Sequence, residues 1–284
     1  MFERDDFERH DGFHDECGVV AIYGNAEAAN LTYLGLYQLQ HRGQESAGIC
    51  SSDGRRIHCH KDMGHVAEIF RPEVLGQLPG DHAIGHTRYA TAGDTVLLNA
   101  QPFSVACNKG QIAVAHNGNI TNASELRRDL ERDGSIFQAS SDTEVILHLV
   151  ARSRERTLAE ALREALLQLK GAFSLVFLAE DRIIVARDPH GFRPLAMGQL
   201  VAEDGRVSHV FASETCAFDM INATYTGDVE PGEMVIASPE GIKRERYAPV
   251  REHACCVFEH VYFSRPDSIV FGRPVQQSRE LLGR

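Results

Sequence analysis

The sequence predicts an α+β fold in which two antiparallel sheets pack face to face, with helices on their outer sides. Three observations carry that expectation. Short apolar, β-branched runs fill the first part of the chain, three segments with helix-start signals fill the middle, and apolar runs return beyond residue 171. Strands, then helices, then strands fit layered antiparallel sheets better than an alternating βαβ chain.

Residues 1–16, MFERDDFERHDGFHDE, hold seven acidic residues and two arginines and no continuous apolar stretch. A secretory signal needs a basic start and an apolar centre. The segment therefore reads as a leader to be discarded. A cut between Glu16 and Cys17 would leave a thiol and a free α-amine on one residue, a nucleophile and a base already in place. VVAIYG follows as a buried strand closed by Gly24-Asn25. In residues 26–41 the period changes: Ala29, Tyr33, Leu36 and Tyr37 share one helical face until Gly43 permits a turn. SAGIC, RRIHCH, DHAIGHTRYA and QIAVAHNGN then read as strands separated by glycines and prolines.

Three helices are predicted in the middle, because Asn122 with Glu125, Ser141 with Glu144 and Thr157 with Glu160 each have capping-box spacing. The last helix sets Leu158, Leu162, Leu166 and Leu169 on one face and stops at Gly171. AFSLVFLA, RIIVARD, RVSHVFAS and GEMVIAS follow as strands, the last turning at Pro239-Glu240-Gly241. From about Arg251 the character changes again, and a helix begins near the end.

The composition is that of an ordinary globular chain: 284 residues, 43% hydrophobic and 24% charged. A formal charge of −11 argues against nucleic-acid or anionic-membrane partners, which reward clustered Lys and Arg. No apolar run approaches the roughly 20 residues of a membrane helix. Seven cysteines, odd in number and irregular in spacing, read as reduced thiols of a soluble cytoplasmic protein.

Polar, glycine-bearing clusters interrupt the apolar strands: QHRGQESAG, GHTRYATAG, NAQPF, AHNGN and SSDTE. A core strand does not place Arg, His and Asn inside an apolar pattern unless each finds a partner, so these clusters read as the walls of a site. His58, His60 and His65 invite a metal reading, but no second close pair has zinc spacing, and a solvated strand face is the better account. His116, beside Asn117, is assigned a supporting role and His41 a structural one near the turn.

With CGVVAIYG, LQHRGQESAGI, GHTRYATAG, NAQPF, AHNGNITN, SSDTE, ARDPHGFRPL, ASET, PGEM and VYFSRPDS in order from Cys17 onward, the sequence resembles the glutamine amidotransferases with an N-terminal cysteine nucleophile. Among them it looks like the amidophosphoribosyltransferases. The resemblance implies the N-terminal nucleophile hydrolase fold, a four-layer αββα sandwich, over residues 17–250. Residues 1–16 would be a self-cleaving propeptide, and 251–284 the connection to, and start of, a phosphoribosyltransferase domain. It implies that Cys17 attacks the carboxamide of glutamine with its own α-amine as base, and that Asn117 and Gly118 form the oxyanion hole. Arg88 would hold the substrate α-carboxylate and Asp142 its α-ammonium, Asp142 standing in the first turn of a helix capped by Ser141. Tyr89 and Thr91 would line the pocket, and Arg42-Gly43 would form the turn beside the nucleophile.

No cofactor is expected for the glutaminase reaction. Cys256, just ahead of the FEHVYF stretch, matches the place of one ligand of the [4Fe–4S] cluster that some family members carry. A full-length protein would also use Mg2+ with phosphoribosyl pyrophosphate and form a homo-oligomer. The loop resembling VDDSIVRGTT that binds the ribose phosphate does not occur in these residues, so this chain is expected to release ammonia without making 5-phosphoribosylamine. Two rival readings are a glutaminase domain like that of glucosamine-6-phosphate synthase and a non-catalytic module that keeps its leader. RYATAG and HNGNI, where the synthases read RWATHG and HNGII, weigh against the first.

Overall fold

The computed structural model describes residues 17–89, 96–249 and 251–284. In the first part of the chain, β1 (Gly18–Tyr23), α1 (Ala28–Gln38), β2 (Ser46–Ser52) and β3 (Ile57–Met63) precede two one-turn helices, α2 (Val66–Ile69) and α3 (Pro72–Leu75). There follow β4 (His82–Arg88), β5 (Phe103–Cys107) and β6 (Gly110–Ile120), then α4 (Ala123–Arg132), α5 (Glu144–Arg152) and α6 (Leu158–Leu166). Strands return as β7 (Gly171–Leu178), β8 (Ile183–Arg187), β9 (Ala196–Val201) and β10 (Val207–Ala212), with α7 (Cys216–Ile221), β11 (Thr224–Asp228), β12 (Glu233–Ser238) and β13 (Gly241–Arg246) after them. The tail holds a π-helical turn (Glu259–Phe263), a small hairpin of β14 (Ile269–Val270) and β15 (Arg273–Pro274), and α8 (Val275–Leu282).

The strands form a seven-stranded sheet ordered β11-β9-β10-β1-β4-β2-β3 and a six-stranded sheet ordered β13-β12-β8-β7-β6-β5. Every pairing between them is antiparallel. Alternation along each strand sorts the apolar residues into three cores. In β1, Val19 and Ala21 point into a core shared with Ala113, Val176 and Val185 of the second sheet, while Val20 and Ile22 point to the core under α1 and α7. On the far side, Phe173, Leu175 and Phe177 of β7 meet Ile146, Leu162 and Leu166 of the middle helices. Three cores between four layers are the predicted αββα sandwich.

Several local expectations need correction. The buried face of α1 is Ala28, Ala29, Thr32, Gly35 and Leu36, and Tyr37 is exposed. Small residues win because the helix lies close on the sheet: a Cβ on Gly85 would come within 2.6 Å of Thr32 Cγ2. Gly43 adopts φ −162°, an extended conformation, after a 3₁₀ turn at Gln40–Arg42. It is glycine because a Cβ there would stand 2.7 Å from the carbonyl carbons of Thr87 and Arg88. Asn122 precedes α4 without capping it; its amide instead donates to the Gln168 carbonyl and accepts from Lys170 N–H.

Cysteine pairing also departs from the reduced-thiol expectation. Cys50 and Cys59 are direct partners across β2 and β3 and form a disulfide. The cross-strand register brings the two sulfurs together, which spacing in sequence does not reveal. Among the described residues no helix is long and apolar enough to cross a membrane.

The third capping box is present. Thr157 Oγ1 accepts from Glu160 N–H at 3.2 Å, and Glu160 Oε2 accepts from Thr157 N–H at 3.2 Å. Thr157→Ala leaves a helix-end donor without its side-chain acceptor and should cost about 1 kcal/mol of stability. Urea unfolding checks this; an unchanged midpoint would show that water replaces the cap at no cost.

Candidate active site

The site is assembled by strand register. Gly18 of β1 lies opposite Thr87 of β4, Ser46 of β2 opposite Arg88, and Val20 opposite Ala212 of β10. The starts of β1 and β2 and the ends of β4 and β10 therefore meet at one end of the seven-stranded sheet. That end carries Cys17, Arg42, Arg88 and Ser213.

Cys17 is buried, with its thiol donating to the Tyr89 carbonyl at 3.6 Å. Arg42 Nε donates to the Cys17 carbonyl at 3.1 Å. Asn117 and Gly118 come from β6 in the other sheet. Ser213 joins the sheets here: its Oγ accepts from Val19 N–H at 3.0 Å and from Asn117 Nδ2 at 3.2 Å. A carboxamide nitrogen has two N–H groups; the contact with Ser213 uses one. Asn117 Oδ1 is buried with no hydrogen-bond partner among the described residues. Gly118 has φ 145°, and a Cβ there would lie 2.0 Å from the Ala172 carbonyl oxygen, so no other residue fits.

Arg88 is buried, its Nη1 3.9 Å from Glu45 Oε2. Asp142 precedes α5, which begins at Glu144 with Thr143 as its N-cap, so the expected place in the helix's first turn is corrected. Ser141 Oγ accepts from Thr143 N–H, and Glu144 turns back to accept from Gln138 N–H and Ala139 N–H. Asp142 is held from the strand side: Oδ2 accepts from Ile120 N–H at 2.8 Å, and Oδ1 is 3.7 Å from His116 Nδ1. Burial works against its charge, but attraction from His116 and the donated hydrogen bonds outweigh it and hold the carboxyl below its usual range. Thr91 lies outside the described residues.

His116, assigned a supporting role from the sequence, contacts Thr143 Oγ1 through Nδ1 at 3.1 Å, and its backbone N–H donates to Gln101 Oε1. His86 is the neighbour that sequence reasoning missed. Its Nε2 is 3.0 Å from the His116 carbonyl, an acceptor, so that nitrogen carries the proton. Burial and then the charges of Arg88, His116 and Lys61 push its pKa down to about 3, with the hydrogen bond to His116 acting against them.

A buried charge cluster lies behind Cys17. Arg42 Nη1 donates to Glu214 Oε1 at 2.6 Å and Glu259 Oε2 at 2.9 Å, and Nη2 donates to Glu259 Oε1 at 2.9 Å. His41 also contacts Glu214, at 2.9 Å, in keeping with its structural assignment. Burial raises both carboxyls, but Arg42 outweighs it and keeps them below the usual range. A cavity of about 790 Å3 lies elsewhere, against β5 and α5, and is lined by apolar groups such as Leu98, Phe103 and Leu147. Cys17, Arg88, Asn117, Gly118 and Asp142 do not line it, so volume does not identify this site; convergent polar groups do.

Cys256 Sγ lies 3.9 Å from Arg193 Nη1, and Cys255 Sγ lies 3.4 Å from His253 Nε2. Among the described residues no group of three or more His, Cys, Asp and Glu side chains could hold a metal. Four thiolates are needed for a [4Fe–4S] cluster, so these residues by themselves do not fit one. His58 contacts Asp53 at 3.2 Å and His60 packs edge-on to Phe70, both on the sheet-edge strand β3.

A family model described as a glutamine amidotransferase domain matches residues 86–220. The chain is 50% identical over 282 residues to amidophosphoribosyltransferase 2, chloroplastic, of Arabidopsis thaliana, covering 99% of this chain and 49% of that protein. It is 47% identical over 274 residues to the amidophosphoribosyltransferase of Bacillus subtilis, covering 96% and 56%. A solved glutamine phosphoribosylpyrophosphate amidotransferase from B. subtilis, complexed with ADP and GMP, superposes with a TM-score of 0.88 at 47% identity, covering 94% of this chain and 57% of that one. Residues 86–220 thus match a glutamine amidotransferase domain, and the chain shares its fold with the solved amidotransferase. Over nearly its whole length it is similar to amidophosphoribosyltransferases, and it spans about half the length of the curated relatives it matches.

The neutral state of His86 predicts a pH effect. A histidine whose folded pKa is depressed contributes stability that is present above its ordinary value of 6.5 and lost as pH falls toward the folded value of about 3. The wild type should therefore lose more stability between pH 7.5 and pH 5 than His86→Gln, measured by urea midpoints. Equal losses would show that His86 takes up a proton in place.

Proposed function

We propose that this chain hydrolyses glutamine to glutamate and ammonia at Cys17. The observation that carries the reading is the bridge between the two sheets beside Cys17, where Ser213 Oγ accepts from Val19 N–H, two residues after Cys17, and from Asn117 Nδ2. Cys17 supplies the thiolate and, once residues 1–16 are removed, the α-amine that takes its proton; such an amine titrates at about 7.7–8.0, suited to proton exchange near neutrality. The thiolate adds to the side-chain carbonyl carbon of glutamine. The remaining N–H of Asn117 and the backbone N–H of Gly118 face the oxygen as it gains charge, and each such donor is worth about 10²–10³ in rate. Collapse expels ammonia, which carries away the amine's proton. Water then cleaves the γ-glutamyl thioester, releasing glutamate and returning the thiol.

Recognition falls to the flanking charges. The planar fork of Arg88 suits the substrate α-carboxylate, Asp142 takes the α-ammonium, and Tyr89 with Thr91 closes the pocket. The leader is removed by the same thiol: Cys17 attacks the carbonyl of Glu16, the peptide bond passes through a thioester, and water releases the leader. In the longer proteins that this chain resembles, the ammonia would meet phosphoribosyl pyrophosphate and Mg2+ in a second domain to give 5-phosphoribosylamine for purine synthesis. Cys256 would contribute one ligand there if a cluster is bound. A homo-oligomer in the cytoplasm, with no nucleic-acid or membrane partner, belongs to the same proposal.

Cys17→Ala should abolish glutamine hydrolysis with the fold retained, checked by coupled glutamate release and circular dichroism; substantial turnover in this variant would sink the assignment. Arg88→Lys should chiefly raise the glutamine KM, because an ammonium lacks the paired donors of a guanidinium. An unchanged KM would remove Arg88 from the carboxylate role.

A further inference from the structure

We propose that Glu259, in the tail segment, is a positioning residue of the glutamine-hydrolysing site, holding the Arg42 guanidinium so that its Nε–H fixes the carbonyl of Cys17. The inference rests on Cys17 being the nucleophile and deepens that reading. Glu259 opens the π-helical turn Glu259–Phe263, 217 residues from Arg42, and is fully buried. Its two oxygens take Nη1 and Nη2 of Arg42, each at 2.9 Å, as a fork on a fork. Ser264 Oγ donates to Oε2 at 2.9 Å, and Arg193 Nη1 stands 3.5 Å from Oε1, so the carboxylate is itself held in place. A guanidinium is planar. Fixing its two terminal nitrogens therefore fixes the direction of Nε–H, which meets the Cys17 carbonyl at 3.1 Å.

That carbonyl is a fitting point of control. At an N-terminal nucleophile the thiol and the amine both hang from one Cα and both react, so neither can be clamped without interfering with the chemistry. Holding the carbonyl instead stops rotation about the Cα–C bond, which would swing thiol and amine together away from Asn117 and Gly118. Glu214 cannot substitute for Glu259. It meets Arg42 through Nη1 alone, while its other oxygen accepts from Arg265 N–H and Ser268 Oγ. One contact leaves the guanidinium free to pivot, whereas the bidentate pair does not. The two arginines, Arg42 and Arg193, and the two carboxylates, Glu214 and Glu259, also balance in charge, which a buried cluster requires.

The test compares glutamine hydrolysis by the whole chain as wild type, Glu259→Gln, Glu259→Asp and Glu233→Gln. Glu233 makes a comparable bidentate pair with Arg244 between β12 and β13 and serves as the structural control. Glu259→Gln should lower kcat by about 10²-fold, the cost of an ångström-scale misplacement of a reacting group, and leave the glutamine KM within about threefold, because substrate recognition is untouched. Glu259→Asp keeps the charge but shortens the arm and should fall between the two. Glu233→Gln should lower the melting temperature with kcat unchanged. A folded Glu259→Gln with wild-type kcat overturns the inference, as does a loss of kcat matched by Glu233→Gln. If Glu259→Gln does not fold, Glu259→Asp decides: reduced kcat at constant KM supports the role, and wild-type kcat refutes it. A wild type that releases no glutamate overturns the reading of Cys17 and this inference with it, whereas an active wild type with unaffected Glu259 variants overturns this inference alone.

Discussion

A guanidinium with no access to water is the constraint around which this structure is arranged. Arg42 is fully buried, and an unpaired buried charge costs several kcal/mol, so the chain must bring carboxylates to it. Both come from far downstream in sequence: Glu214 from the turn after β10, Glu259 from the tail. Satisfying Arg42 therefore closes the end of the first sheet and docks the tail at once. The same side chain touches the Cys17 carbonyl, so the charge balance of the interior and the placement of Cys17 are one problem with one solution.

Close approach is the second condition. The segment bearing Arg42 runs directly beside Thr87 and Arg88, where any side chain on Gly43 would collide with backbone. Across the gap, Gly118 lies against the carbonyl of Ala172 in the same way. Both glycines let the backbone around site residues approach a neighbouring segment more closely than side chains allow. Ser213 then spans the sheets, taking a backbone N–H from β1 and the amide of Asn117 from β6. The rigid layers supply the precision, and the polar groups at their shared end supply the chemistry.

Much of this was legible because apolar alternation marks central strands. VVAIY splits its residues between two cores as its pattern requires, and the HNGN and HTRY clusters stood out as polar interruptions of such strands. AMGQLV of β9, between β11 and β10, escaped notice, and so did three edge strands with weak apolar signals. GIKRER of β13, TYTGD of β11 and FSVAC of β5 all lie at sheet edges, where one side faces solvent and charge or polarity is tolerated. Partner choice was the other blind spot. Glu214 and Glu259 look like surface acids in their local sequence, and only the fold shows that each meets Arg42. The Cys50–Cys59 pairing likewise follows from the register of β2 on β3. Ser141 failed as a cap because Asp142 is claimed by Ile120 N–H on the neighbouring strand, which displaces the start of α5.

The chemistry turns on whether the nitrogen of Cys17 is a free amine when glutamine is hydrolysed. As long as residues 1–16 remain attached, that nitrogen is an amide with no useful basicity. Following intact mass and glutamate release together on freshly purified chain tests this directly. Activity should rise in step with the fraction of molecules beginning at Cys17; full activity in molecules that still begin at residue 1 or 2 would contradict it.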